Sequence, residues 1–273
     1  MTPAIFSRTY PLTTAEATFA AVKADGFGAV QFNLSNLGLP PLPETAPTGL
    51  EAVRDQAAAA GIVISALSGT WNMAHPDSAY RIQMRGRFEL VLQAAQTLGA
   101  PIVTLCTGSR DAGNMWAAHA QNTSAAAWAD MAAELSHALD RAAHYGLHLG
   151  IEPEPANVIC DAPAARRILD QMQAPHLGIV LDAANLIAPE QAVHQPAILD
   201  QAFDLLGADV LLAHAKDHDT TGRVVAPGDG IIDLPTFVAG LRQAGYTGPL
   251  IGHGFDPALA PQAARVLHDL CAL

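Results

Sequence analysis

Hydrophobic and polar positions alternate in blocks along the chain. Short, almost continuously apolar runs rich in β-branched residues are followed by longer Ala-rich stretches of helical spacing. Eight short runs stand out: "IFSRTY" from Ile5, "GAVQFN" from Gly28, "IVISALSG" from Ile62, "PIVTLCTG" from Pro101, "LHLGIEP" from Leu147, "LGIVLDAAN" from Leu177, "VLLAHAKD" from Val210 and "PLIGHG" from Pro249. A strand buried on both faces reads as such a run, and each is followed by a helical stretch, which is the order that builds a parallel sheet.

The helical stretches carry their own punctuation. Thr13 or Thr14, Asp161, Asp233 and Asp256-Pro257 supply N-caps, and "ADGFG", "AAGIV", "TLGAP", "HYGLH" and "QAGYTGP" place a helix-ending glycine just before the next strand. Eight βα units with no linker between them predict an α/β fold, a single (β/α)8 TIM barrel over residues 1–273. A doubly wound open sheet normally has fewer strands and a Gly-rich phosphate turn after the first, and the chain has no G-x-G-x-x-G.

Three segments without a clear period leave the ends of the third, fourth and seventh strands: "TWNMAHPDSAY", "SRDAGNMWAAHAQN" and "HDTTGRVVAPGDGI". A barrel builds its active site from such loops. They make Asn72, His75, Arg110 and Trp116 candidate substrate-binding residues, with Trp71 and His119 beside them and Asn185 after the sixth strand. "PGDG" at 227–230 reads as a turn with the backbone to cradle an anion.

Side chains alternate along a strand, so Glu152 and Glu154 of "GIEPEP" share a face, as do His214, Lys216 and His218 of "HAKDH". The last four strands finish with Glu152, Asp182, His214 and His253. Neighbouring strands lie about 4.8 Å apart, so these groups can converge on one point at the barrel mouth. Two carboxylates and two imidazoles predict one divalent transition metal, Mn, Zn, Co or Fe, rather than Mg or Ca. "HAKDH" lacks the Glu of a helical zinc motif, and "LSGTW" and "CTGSR" are not nucleophile elbows.

Composition narrows the class further. Half the residues are apolar, and the net charge is −12, from 14 Lys plus Arg against 26 Asp plus Glu, which argues against nucleic acid as a partner. Three scattered cysteines form no C-x-x-C pair, so a disulfide framework or structural zinc site is not expected. The absence of a leader-like start and of a run of about 18 apolar residues predicts no membrane partner and a cytoplasmic location. A homo-oligomer is compatible with all of this.

"GIEPE", "IVLDAANL", "HAKDHDTTGRVVAPGDGIID" and "YTGPLIGHG" resemble the xylose-isomerase-like TIM barrels over essentially the whole chain. That family includes sugar isomerases and epimerases, inosose dehydratases and the type-four apurinic endonucleases. The resemblance implies a divalent metal held by Glu, Asp, His and Glu, carried here by Glu152, Asp182 and His214, with His253 where the family usually has Glu. It also implies a small-molecule carbohydrate or polyol substrate and an enediolate intermediate, with Glu152 as a proton-transfer group; the residues themselves add two catalytic candidates, Glu154 as the spare inward acid and Lys216 as a donor to the developing oxyanion. His253 removes one of the two glutamates that epimerases use as proton-transfer groups, and Asn185 stands where a His is expected. Both departures disfavour a ketose 3-epimerase. A lyase or dehydratase acting on a keto-sugar or inosose, and a non-catalytic sugar-binding barrel, are the alternatives.

Overall fold

The computed structural model describes residues 1–272. Its strands are β1 (Thr2–Phe6), β2 (Ala29–Phe32), β3 (Val63–Ser68), β4 (Ile102–Leu105), β5 (His148–Ile151), β6 (Leu177–Asp182), β7 (Val210–His214), the two-residue β8 (Asp217–His218) and β9 (Val224–Val225), and β10 (Pro249–Gly252). All but β8 and β9 form a closed barrel of parallel strands in sequence order, with β10 returning to pair with β1. The helices are α1 (Ala15–Ala24), α2 (Leu50–Ala60), α3 (Ser78–Leu98), α4 (Ala125–His144), α5 (Ala162–Met172), the short α6 (Ala183–Leu186), α7 (Gln195–Leu206), α8 (Leu234–Gln243) and α9 (Ala260–Ala272). The chain is therefore a (β/α)8 TIM barrel, as the block pattern predicts.

The period of two along each strand divides the core. Outward residues such as Val30, Phe32, Val103, Leu149 and Ile179 pack with Phe19, Leu92, Leu135, Ile168 and Phe237 of the helices. Inward residues Ala4, Ala29, Ala66, Val180, Leu212 and Ile251 form a separate apolar cluster that fills the lumen. The lumen is tight: a Cβ at Gly150 would lie 2.9 Å from Val180 Cγ2. Glycine there lets β5 approach closely enough to carry Glu152 into the mouth.

Several strands end earlier than the sequence runs suggest: β4 stops at Leu105, β5 at Ile151 and β6 at Asp182, and two further boundaries have a clear local cause. The first strand ends at Phe6, and Ser7–Thr9 form a 3-10 turn. Ser7 leaves the ladder because its hydroxyl donates to Asn36 Oδ1 at 2.7 Å and accepts from Asn33 N at 3.0 Å. The seventh strand stops at His214, and Asp217–His218 pairs antiparallel with Val224–Val225. Among the described residues no helix is long and apolar enough to cross a membrane.

Candidate metal centre and active site

On β2, β5, β6, β7 and β10 the inward side chains turn polar two residues above the inner apolar layer. Ala29 is followed by Gln31, Val180 by Asp182, Leu212 by His214 and Ile251 by His253, while Gly150 is followed by Glu152. Asp182 and His214 are register partners across β6 and β7. Asp182 caps α6, its Oδ1 accepting from Ala184 N at 3.0 Å, which leaves Oδ2 toward the mouth. There Oδ2 lies 3.3 Å from His253 Nε2, 3.4 Å from Lys216 Nζ and 4.0 Å from His214 Nδ1. Glu152 Oε1 accepts from Asn185 Nδ2 at 2.9 Å and faces His214 Nδ1 at 3.1 Å. Lys216 donates to Asn185 Oδ1 and lies 3.9 Å from Glu154 Oε1. Glu152 and Glu154 thus both face the mouth, although β5 ends one residue before the first of them.

Three carboxylates in a buried space repel one another, and the shifts in their pKa values record how the site accommodates this. Burial pushes Glu152 up, but the adjacent His214 outweighs it and the net shift is downward. Asp182 behaves alike: burial raises it, and Lys216 with His253 brings it well below the ordinary range. Glu154 has no such close partner, so burial and the Glu152 charge raise it to about 7. Burial opposes the charge on Lys216, yet Asp182, Glu154 and Glu152 hold it firmly protonated. His214 is raised because Glu152 overcomes its burial, whereas burial and the neighbouring His214 lower His253. Carboxylates pushed apart in this way are a mark of functional sites.

The donor set fits a metal ion. One ligand atom each from Glu152, Asp182, His214 and His253 lies within 4.8 Å of the others, and all but His253 are buried. Two oxygens and two imidazole nitrogens at that spacing suit a divalent transition ion.

The sequence model of the xylose isomerase-like TIM barrel family matches residues 19–270. The chain belongs to this family. No curated protein matches at the sequence level. Solved structures resemble it in fold. An IOLI protein with a bound zinc atom is 17% identical with a TM-score of 0.78, covering 100% of this chain and 98% of that one. An L-ribulose 3-epimerase is 16% identical with a TM-score of 0.79, covering 99% and 94%. The 3-keto-D-glucoside 4-epimerase YcjR from E. coli is 19% identical with a TM-score of 0.77, covering 98% and 99%. The chain also spans 43% of a fusion protein that joins a xylose isomerase-like TIM barrel to a 4-hydroxyphenylpyruvate dioxygenase, with 99% of this chain covered, 19% identity and a TM-score of 0.74.

Not every residue picked from the sequence reaches the centre of this xylose isomerase-like barrel. Asn185 does, bridging Glu152 and Lys216. Asn72 instead laces two loops, accepting from Ser109 N at 3.0 Å and donating to Asp111 O at 3.3 Å, against the φ +77° turn at Gly108. The His75 ring stacks on Tyr80, accepts from Asp77 N and contacts Ala112 O. Arg110 pairs with Asp130 at 2.8 Å and donates to Ala74 O. Trp116 is 50% exposed, Trp71 is buried with its indole N–H unpartnered, and His119 caps a 3-10 turn.

His218 departs from the face of His214 and Lys216 because its backbone has joined the hairpin; its ring contacts Ile187 O at 2.7 Å. The "PGDG" turn does cradle an anion, and the anion is the chain's own Asp217. That fully buried carboxylate accepts from the backbone N–H groups of His218, Gly228, Gly230 and Ile232 at 2.9–3.1 Å. Two residues near the centre were not singled out from sequence, Gln31 and Thr104, and the thiol of Cys106 lies 3.8 Å from Glu152 Oε2. For Gln31 the available signal was a polar residue at an inward position of a buried strand.

Proposed function

We propose that the protein is a divalent-metal-dependent isomerase or epimerase acting on a sugar, keto-sugar or polyol, moving a proton at a carbon beside a carbonyl through an enediolate. The observation that carries this reading is the joint convergence of Glu152, Asp182, His214 and His253, with Glu154 and Lys216 at the edge of the same cluster. A bound divalent cation would act as a Lewis acid, polarising substrate oxygen and favouring loss of the adjacent proton. Two barrels of similar fold bear the names of sugar epimerases, and a third was solved with zinc, which supports the substrate class and the metal.

The chain's own groups divide the remaining work. Glu154 is the proton-transfer group, because Glu152 is engaged by Asn185 and His214 while Glu154 is left with the more distant Lys216. Lys216, an ammonium among carboxylates, donates to substrate oxygen as negative charge develops on it. Asn185 keeps Glu152 and Lys216 apart by bonding to both. The stiff "EPEP" backbone aligns the two acids, since proline fixes its own φ and restricts the residue before it.

His253 in place of a second acid favours one alternative, a lyase or dehydratase working on a keto-sugar or inosose. Such an enzyme needs a base on one side and a donor for the departing hydroxyl, and Glu154 with Lys216 would supply them. A non-catalytic sugar-binding barrel is separated from both readings by metal content. The test is elemental analysis after reconstitution with Zn, Mn or Co, followed by a screen of keto-sugars and inososes in deuterium oxide by NMR. About one ion per chain, lost in Asp182→Ala, and solvent deuterium in the product are expected. Lack of stoichiometric metal, or an Asp182→Ala variant that binds as the parent does, sinks the metal-dependent reading.

A further inference from the structure

Gln31 is 2% exposed, and its side chain reaches His214. Its Oε1 lies 2.8 Å from His214 Nε2, and its amide nitrogen donates to Thr104 Oγ1 at 3.1 Å. The backbone beneath it is irregular. The register of β2 against β3 shifts between Val30 and Gln31, leaving Ser65 unpaired, and the Ser65 hydroxyl donates to Val30 O at 2.8 Å. A β-bulge of this kind re-aims a side chain, and such bulges concentrate beside active sites. A buried amide in an otherwise apolar lumen is costly unless both of its polar atoms find partners, and here both do.

From this geometry we infer that Gln31 is a positioning residue for the metal centre, holding the His214 ring so that Nδ1 is the nitrogen presented to the ion. The inference rests on the metal-dependent reading given above and adds to it the choice of ligating atom. A neutral imidazole has one protonated and one bare nitrogen, and the hydrogen bond made by one decides the state of the other. A histidine that holds an ion is neutral, and because the Gln31 carbonyl oxygen accepts from Nε2–H, the lone pair left for the ion would be that of Nδ1. That nitrogen faces Glu152 Oε1 at 3.1 Å and Asp182 Oδ2 at 4.0 Å, inside the ligand set. Thr104 keeps the amide from turning over by taking up its N–H. The chain Thr104, Gln31, His214 thus runs across the lumen from β4 through β2 to β7 and ends at the centre.

The test combines zinc affinity, measured by competition with a chromophoric chelator, with the tautomer of His214, read from long-range proton–nitrogen NMR correlations. Gln31→Leu is expected to weaken zinc binding about 10- to 100-fold, the usual cost of losing a hydrogen-bond partner of a metal-bound histidine. Gln31→Glu keeps an acceptor opposite Nε2 and is expected to recover the parent's affinity, which a purely structural role for the amide would not predict. If Gln31→Leu does not fold, Thr104→Val frees the amide while preserving shape, and a smaller loss in the same direction is expected. A Gln31→Leu variant that binds zinc like the parent, or a Gln31→Glu variant as weak as Gln31→Leu, overturns the inference. If the parent takes up no zinc, the metal-dependent reading fails separately. The protons on the ring still decide for Gln31: a proton on Nε2, alone or together with one on Nδ1, upholds the pairing, and a ring protonated only at Nδ1 refutes it.

Discussion

The barrel mouth has two halves that look alike in composition and differ in what their polar groups bond to. Around the ends of β3 and β4, Asn72, His75 and Arg110 are buried and polar, and much of their bonding is to backbone atoms of the loops they cross. Around the ends of β5, β6 and β7, Glu152, Asp182 and His214 are as deeply placed, and they face one another and the half-buried Lys216. The first half has the saturation of a framework, in which Asn72, His75 and Arg110 each have fixed partners. The second concentrates like charges and keeps them ionised only through neighbours, an arrangement that costs stability unless a ligand or a reaction makes use of it. A buried polar residue alone does not mark a site; side chains competing with one another do.

The sharpest way to break this contrast is Glu154→Gln, which keeps shape and most hydrogen bonding but cannot take a proton. Turnover on the substrate found by the screen should fall at least about a hundredfold with metal content intact. Full activity would reduce Glu154 to part of the frame.

In the other half, Arg110→Met should cost stability rather than chemistry. Its side chain is 7% exposed and pairs with Asp130, which is 33% exposed, so the loss should be about 2 kcal/mol in denaturant unfolding. Zinc affinity should not change. If stability held and activity vanished, the loops after β3 and β4 would have to be redrawn as substrate contacts.

The smallest effect concerns pH. Glu154 has its folded-state pKa raised to about 7, above the unfolded value, so its contribution to stability is fully present below the unfolded pKa and is lost as pH rises through about 7. In metal-free protein above that pH, Glu154→Gln should therefore be more stable than the parent, by on the order of 1 kcal/mol, while near pH 4 the two should converge. Thermal unfolding at both ends of this window checks it; a Gln variant less stable throughout would mean that the Lys216 contact outweighs the burial of charge.

Much of the fold was legible in the chain because parallel strands buried on both faces leave unbroken apolar runs, and glycine-capped helices separate them. The convergence of Glu152, Asp182, His214 and His253 was legible for a related reason: period two carries the polar change at the end of each run to the same face. Gln31 was visible only as one polar letter in "GAVQFN", and the register shift that aims it depends on β3, remote in sequence. The roles of Asn72, His75 and Arg110 were hidden because partners such as the backbone of Ser109, Ala112 and Ala74 and the carboxylate of Asp130 lie outside their own loop segments, which no local pattern encodes. His218 went the other way from its neighbours because strand alternation stops where the ladder stops, at His214.

The "PGDG" turn carries one more consequence. Its N–H groups form the sort of nest that captures phosphate in other proteins, and here the occupant is tethered covalently, one residue after Lys216. A Cβ at Gly230 would fall 2.1 Å from Asp217 Oδ1, so the turn closes on its own carboxylate with no slack. Nothing has to diffuse in for the loop to set. Lys216 is therefore presented by a backbone that is braced at synthesis rather than at substrate arrival, and a free anion in solution would have to compete with a guest held by the chain itself to loosen it.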